Sequence, residues 1–270
     1  MRPLVTPLVL AAAVLCPTLA HAADGEKVMV EMKDVQVDFG RLHLSVNLLG
    51  WEVSGAYDSL VTSVQGLFEL NDHIFVRAHS TVPFLGFVGS SNGPVRLEAG
   101  VSFHSSKLEV EYESVTLESE RSGDMIHTRS VQIPVPNKNS VGLGAGILYR
   151  DMRAEVTRED DEFLTRARHL TAYAGLSGLN SAGFEVKVEG YETNFFNYRW
   201  FNGGLDVLFD IVQTFGVDPS KSAGRFGGRL WAESIFGPTA GLSGRLEVGY
   251  MPGETGWFFS ASIGGGLHLL

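Results

Sequence analysis

The stretch that decides the fold is GRFGGRLWAESIFGPTAGLSGRLEVGYMPGETGWFFSASIGGGLHLL, residues 224–270. It divides into three alternating segments. In the first, Phe226, Gly228, Leu230 and Ala232 share one face, opposite Arg225, Gly227, Arg229 and Glu233. In the second, Ala240, Leu242, Gly244, Leu246, Val248 and Tyr250 oppose Gly241, Ser243, Arg245, Glu247 and Gly249. In the third, Trp257, Phe259, Ala261, Ile263, Leu267 and Leu269 oppose Ser260, Ser262, Gly264, Gly266 and His268. A period of two places alternate side chains on opposite faces of a strand. Gly237-Pro238-Thr239 and Pro252-Gly253-Glu254-Thr255 supply the turns between them.

A strand of an ordinary soluble sandwich runs about 5–6 residues. These run to about twice that, the 9–11 residues that a tilted crossing of a bilayer needs. One face is apolar with aromatic residues near its ends, and the other is small, polar and charged. That pairing of faces predicts a lipid-facing exterior and a polar lumen. The competing reading is a soluble antiparallel sheet with one wet face. Three consecutive long strands of one parity favour the first.

The chain opens with Arg2, an apolar run over 4–15 and Ala20-His21-Ala22, which reads as a secretory signal cut after Ala22. Cys16 is the sole cysteine and lies inside that signal, behind Leu15 where a lipoprotein would need a small residue. The exported chain, 23–270, is then expected to form one domain without disulfides or thiolate metal sites. It has no apolar run of about 18 residues to cross a membrane as a helix. Without Arg2 it carries 20 Lys/Arg against 31 Asp/Glu. Such acidity repels phosphates and argues against nucleic acid as a partner.

The same rhythm extends backwards. Segments 41–53, 62–70, 73–82, 95–103, 107–118, 125–135, 140–157, 163–178 and 183–192 alternate, the 62–82 pair turning at Asn71-Asp72, and Gly50 marks a bulge. Pro134 and Pro136 confine 125–135 to an edge. Segment 27–39 alternates poorly, so 23–40 is expected outside the barrel wall. Between 193 and 222, Leu205, Leu208, Val212 and Phe215 recur at helical spacing, which predicts a short amphipathic helix over 204–215 inside a long loop. The expected fold is therefore all-β, a transmembrane antiparallel up-and-down barrel of about twelve strands, within a range of about ten to fourteen, with one short helix.

With its signal, alternating strands and aromatic girdle positions, the chain resembles the small Gram-negative outer-membrane β-barrel proteins, the porin-like superfamily. The resemblance covers 23–270 at the level of architecture. It implies a place in the outer membrane, with lipid and lipopolysaccharide around the wall. Such barrels usually end on an aromatic residue in phase with the lipid face, whereas Leu269 and Leu270 stand here.

Parity assigns the lumen to Arg96, Glu98, Glu109, Glu111, Glu185, Lys187, Glu189, Arg225, Arg229, Glu233, Arg245 and Glu247. Opposite charges on facing strands pair, so these groups make either an ion-paired core or a narrow charged pore. Glu159, Asp160, Asp161 and Glu162 form an acidic hairpin tip, and Phe195, Phe196, Tyr198 and Trp200 an aromatic loop; together they are the expected exposed interaction surface. The tip lacks the spaced ligands and turn glycine of a calcium loop, and no metal or cofactor is expected. His79-Ser80 and His104-Ser105 are adjacent pairs whose side chains leave on opposite faces, and no G-x-S-x-G or H-E-x-x-H motif is present. The reading is a non-catalytic barrel that anchors or displays a surface for envelope protein partners in motility, secretion or adhesion. A passive channel for small hydrophilic solutes is the alternative, and an outer-membrane hydrolase the second.

Overall fold

A computed structural model describes residues 19–21, 27–32, 41–54, 58–86, 94–122, 125–158, 161–188, 195–215, 224–237, 239–252 and 257–269. Their strands are β1 (Leu19–His21), β2 (Lys27–Met32), β3 (Leu42–Ser54), β4 (Asp58–Asn71), β5 (Ile74–Gly86), β6 (Val95–Ser122), β7 (Met125–Arg158), β8 (Asp161–Val188), β9 (Phe195–Phe215), β10 (Phe226–Phe236), β11 (Ala240–Tyr250) and β12 (Trp257–Leu269). The chain divides into two units. The larger is Asp38–Lys107, Lys138–Ser181 and Arg199–Leu270; the smaller is Met1–Val37, Leu108–Asn137 and Ala182–Tyr198.

In the larger unit, strands β8-β7-β6-β5-β4-β3-β12-β11-β10-β9 are neighbours in that order, and β9 returns to β8. The result is a closed antiparallel up-and-down barrel. First and last strands meet along Leu42↔Leu269 to Ser54↔Phe258, so the ring has no free edge, which is how β architectures avoid unpaired backbone groups. The faces fall as the alternation requires. Leu246 is 54% exposed while Glu247 beside it is 2%, and Trp257 is 72% exposed beside a buried Phe258. The wall's apolar side chains point out and its charges point in, the inverse of a water-soluble sheet. Pairing slips between Asn47 and Gly50 against β4, so the bulge expected at Gly50 is present and turns Trp51 outward and Glu52 inward. Gly100 and Gly146 are required by close approach: a Cβ at either would collide with the Tyr173 hydroxyl.

The barrel has ten strands, not about twelve. Three pairs of predicted segments are single strands: 95–103 with 107–118 in β6, 125–135 with 140–157 in β7, and 163–178 with 183–192 in β8. The joins His104-Ser105-Ser106 in β6 and Leu179-Asn180-Ser181-Ala182 in β8 contain neither Gly nor Pro, and nothing there stops an extended backbone. Pro134 and Pro136 lie inside β7 rather than at its end. They are two residues apart, so both missing N–H groups face one edge and the other ladder keeps its donors. The predicted helix is absent, since 204–215 belongs to β9. Leu205, Val207, Phe209 and Ile211 are exposed and Asp206, Leu208 and Asp210 buried, a period of two. The helical spacing arose because Leu208 points inward from an otherwise outward apolar set.

The smaller unit has its own core, formed by Val115, Leu117, Val131, Ile133, Val135, Ala182, Phe184, Val186 and Val188. Here the strands are ordinary, burying β-branched residues against each other. β2 pairs with β8 through Val30↔Val188, Glu31↔Lys187 and Met32↔Val186, and β1 pairs with β2. β2 is not one of the ten strands of the ring.

Candidate functional site

The barrel's interior is built from three tiers, and the middle one is ionic. β10 and β9 place Arg229 directly across from Asp206. Arg229 donates through both terminal nitrogens to the two oxygens of Glu98, each at 2.7 Å, and through Nε to Asp206 at 2.9 Å. Arg77 bridges Glu98 at 2.9 Å and Asp206 at 3.1 Å. Arg96 joins Glu52 at 2.6 Å and Glu247 at 3.3 Å. Arg245 joins Glu233 at 3.0 Å, and Gln65 at 3.3 Å. Glu247 also accepts from Arg229 at 3.2 Å, so the pairs form one network.

Aromatic rings fill what the charges leave. The Arg77 guanidinium lies 4.4 Å above the Trp231 ring and 4.8 Å from that of Tyr173. The Arg245 guanidinium lies 5.3 Å from the same Trp231 ring. The Trp231 indole N–H donates to Asp206 at 3.1 Å. Arg96, Arg229, Arg245, Glu52, Glu98, Asp206, Glu233 and Glu247 are all buried. Bidentate guanidinium–carboxylate bonds of this kind survive burial because each charge meets several partners. The void beside Arg77, His104 and Tyr173 measures about 10 Å³, room for about one water.

One end tier lies where β3 begins and β12 ends. His43 and His268 face each other in register, their Nδ1 atoms 2.8 Å apart. Trp200 stacks on His43 at 4.9 Å, and Leu67, Phe75, Leu179 and Ile235 pack with it. His104 lies near, its Nδ1 3.1 Å from Ser140 and its Nε2 3.0 Å from Ser102 and 3.1 Å from Ser177. The serines it meets come from other strands or from two residues away; the adjacent Ser105 is not among these contacts. At the opposite end, Leu148, Tyr173, Leu208, Met251 and Phe258 pack together. There Asp210 accepts from Thr171 and pairs with His169 at 2.8 Å. Arg150 ties this group to the Pro252 carbonyl at 2.6 Å.

Of the residues parity assigned to the lumen, Arg96, Glu98, Arg229, Glu233, Arg245 and Glu247 meet in the network. Arg225 is exposed and stands outside it. Glu109, Glu111, Glu185 and Lys187 belong to the smaller unit instead, because β6 and β8 continue past the lengths expected of them. Glu189 lies outside the described residues. Sequence reading passed over Glu52, Arg77, Asp206 and Trp231. Arg77 and Trp231 have inward parity, Glu52 gains it through the bulge, and Asp206 was hidden by the helical reading of β9.

The expected interaction surface fares differently. Glu159 and Asp160 lie outside the described residues, and Asp161 and Glu162 fall in β8 with their side chains undescribed. Phe195 and Phe196 begin β9, likewise without described side chains. Trp200 is not exposed: it is 2% accessible and part of the barrel interior. Tyr198 is half-buried in the smaller unit, its phenol pushed up by burial and then by the Glu185 carboxylate.

No family model and no curated protein matches the chain. Among solved structures, it is similar to OmpT (in-vitro folded), an outer membrane protein of Vibrio cholerae, at 9% identity over 88% of this chain and 100% of that one, with a TM-score of 0.20. A loop L8 deletion mutant of the same protein matches at 9% identity over 84% and 98%, with a TM-score of 0.21. A likeness of that degree says nothing about the activity of this chain.

Proposed function

We propose that the chain is a non-catalytic outer-membrane barrel that anchors an envelope assembly and conducts no solute. The observation that carries this is the buried ionic network: four arginines and five carboxylates bonded across the interior from β3, β5, β6, β9, β10 and β11. A solute path needs charged groups that water reaches, and all of these but Arg77 are sequestered from it. The exposed apolar wall supports the membrane setting, since about 9–11 alternating residues suffice to span one. The smaller β unit, with a water-style core, supports an extramembrane display role.

Planar-bilayer recording of the purified chain tests the reading. The wild type is expected to give no stable steps, and Arg229→Glu, which places like charges together in the network, to give noisy or leaky membranes. Reproducible single-channel steps from the wild type would restore the channel alternative.

A further inference from the structure

Among the described residues of the smaller unit, β6 has an unpaired edge. β5 pairs with β6 from Thr81↔Arg96 to Ile74↔Phe103, and β6 then runs on to Ser122. Among the described residues no strand pairs with that edge beyond Phe103, because the neighbours of β6 are β5 and β7 alone. An open row of N–H and C=O groups is a template for another strand. Its side chains are sorted: Leu108, Val110 and Tyr112 are exposed on one face, with Tyr112 at 71%. Glu109, Glu111 and Glu113 occupy the other face, Glu111 exposed and its neighbours half-buried. Segments 108–137 and 182–198 together carry nine Asp/Glu against three Lys/Arg.

We infer that β6 from Leu108 to Glu113 docks an extended basic segment of another protein by strand addition. This rests on the anchor reading and gives the anchored partner a chemistry: Lys or Arg alternating with apolar residues. Directly opposed side chains share a face in an added antiparallel strand. Basic groups would then lie across from the three glutamates and apolar groups across from Leu108, Val110 and Tyr112. A second copy of this chain would oppose glutamate to glutamate, which is destabilising. Anionic headgroups would meet the same repulsion.

The test uses the full chain in detergent micelles and two labelled peptides, one alternating Lys and Val, the other Glu and Val. The Lys–Val peptide is expected to bind about tenfold or more tightly, the sum of several charged cross-strand pairs, and to weaken as salt rises. The His104 N–H donates to the His73 carbonyl on this edge. By the two-residue period the Val110 N–H points the same way, so Val110→Pro removes an edge donor and should abolish binding. Glu111→Lys with Glu113→Lys, which leaves the backbone intact, should reverse the preference between the peptides. A photo-crosslinker at position 112 in native envelopes should capture another protein carrying such a segment. Equal binding of the two peptides overturns the inference, as does undiminished binding by a folded Val110→Pro variant, or crosslinking only to the chain itself or a second copy. None of these results alters the bilayer recording, so loss of the docking edge and loss of the anchor reading are separately visible.

Discussion

β7 passes through both units, and its buried residues change character along its length. In the smaller unit it buries Val131, Ile133 and Val135; in the barrel it buries Leu148, Arg150 and Met152. The parity switches from odd to even, across Asn137 to Ser140, where burial stops alternating. Outside the barrel the opposite face carries Val141, Leu143 and Ile147, all exposed. Opposite the smaller unit's core, the same strand carries Thr128, Ser130 and Gln132, of which Thr128 and Gln132 are exposed. One strand thus obeys the water rule over one part and its inverse over another. What decides burial is the medium that the far face must meet, not hydrophobicity as such.

The largest effect expected from breaking this contrast lies in the ionic tier. Arg229→Leu removes a guanidinium that Glu98, Asp206 and Glu247 share and leaves buried carboxylates under-compensated. Losses on breaking buried pairs run about 3–5 kcal/mol. Denaturant unfolding of the inserted barrel, followed by tryptophan fluorescence, should show a drop of that size. A change below about 1 kcal/mol would mean that water already reaches the network.

Next in size is the core of the smaller unit. Ile133 is fully buried, and Ile133→Ala should cost about 2–5 kcal/mol, combining lost transfer with the cavity left behind. Protease sensitivity within 108–137 should rise. Because Ile133 belongs to the smaller unit, the same variant should leave the barrel's heat-modified gel mobility unchanged.

Much of the fold is legible in the sequence, and most of the misses share one cause. Strict alternation finds β3, the β4–β5 hairpin and β10 to β12, and it puts Arg229, Glu233, Arg245 and Glu247 inside together. Bilayer thickness, by contrast, is a poor guide to where a strand ends. Cutting strands near ten residues makes Lys107–Glu118 a new crossing and carries Glu109 and Glu111 into a lumen they do not line. β9 is obscured for another reason. Its inward face is mixed, Asp206 and Asp210 flanking Leu208, so apolar residues recur at three- and four-residue intervals. Which strand faces which charge is a matter of register and closure. That is why Arg77 and Asp206 gain their roles only in three dimensions.

The smallest expected effect bears most directly on the contrast. Leu246, on β11, faces away from the lumen between Ala232 and Ala261 on the flanking strands. If hydrocarbon surrounds it, Leu246→Ala loses the transfer of the deleted methyls but leaves no void, because lipid closes over the site. The cost should be about 1–2 kcal/mol, below that of Ile133→Ala by the missing cavity contribution. Leu246→Arg at the same position should cost about 2–4 kcal/mol in a bilayer, whereas on a water-facing wall it would change stability by less than about 0.5 kcal/mol. Unfolding titrations in vesicles therefore separate the two media with a single position. Should both Leu246 variants prove neutral, the outward apolar face meets water, and the inversion between the two units has some other origin than lipid.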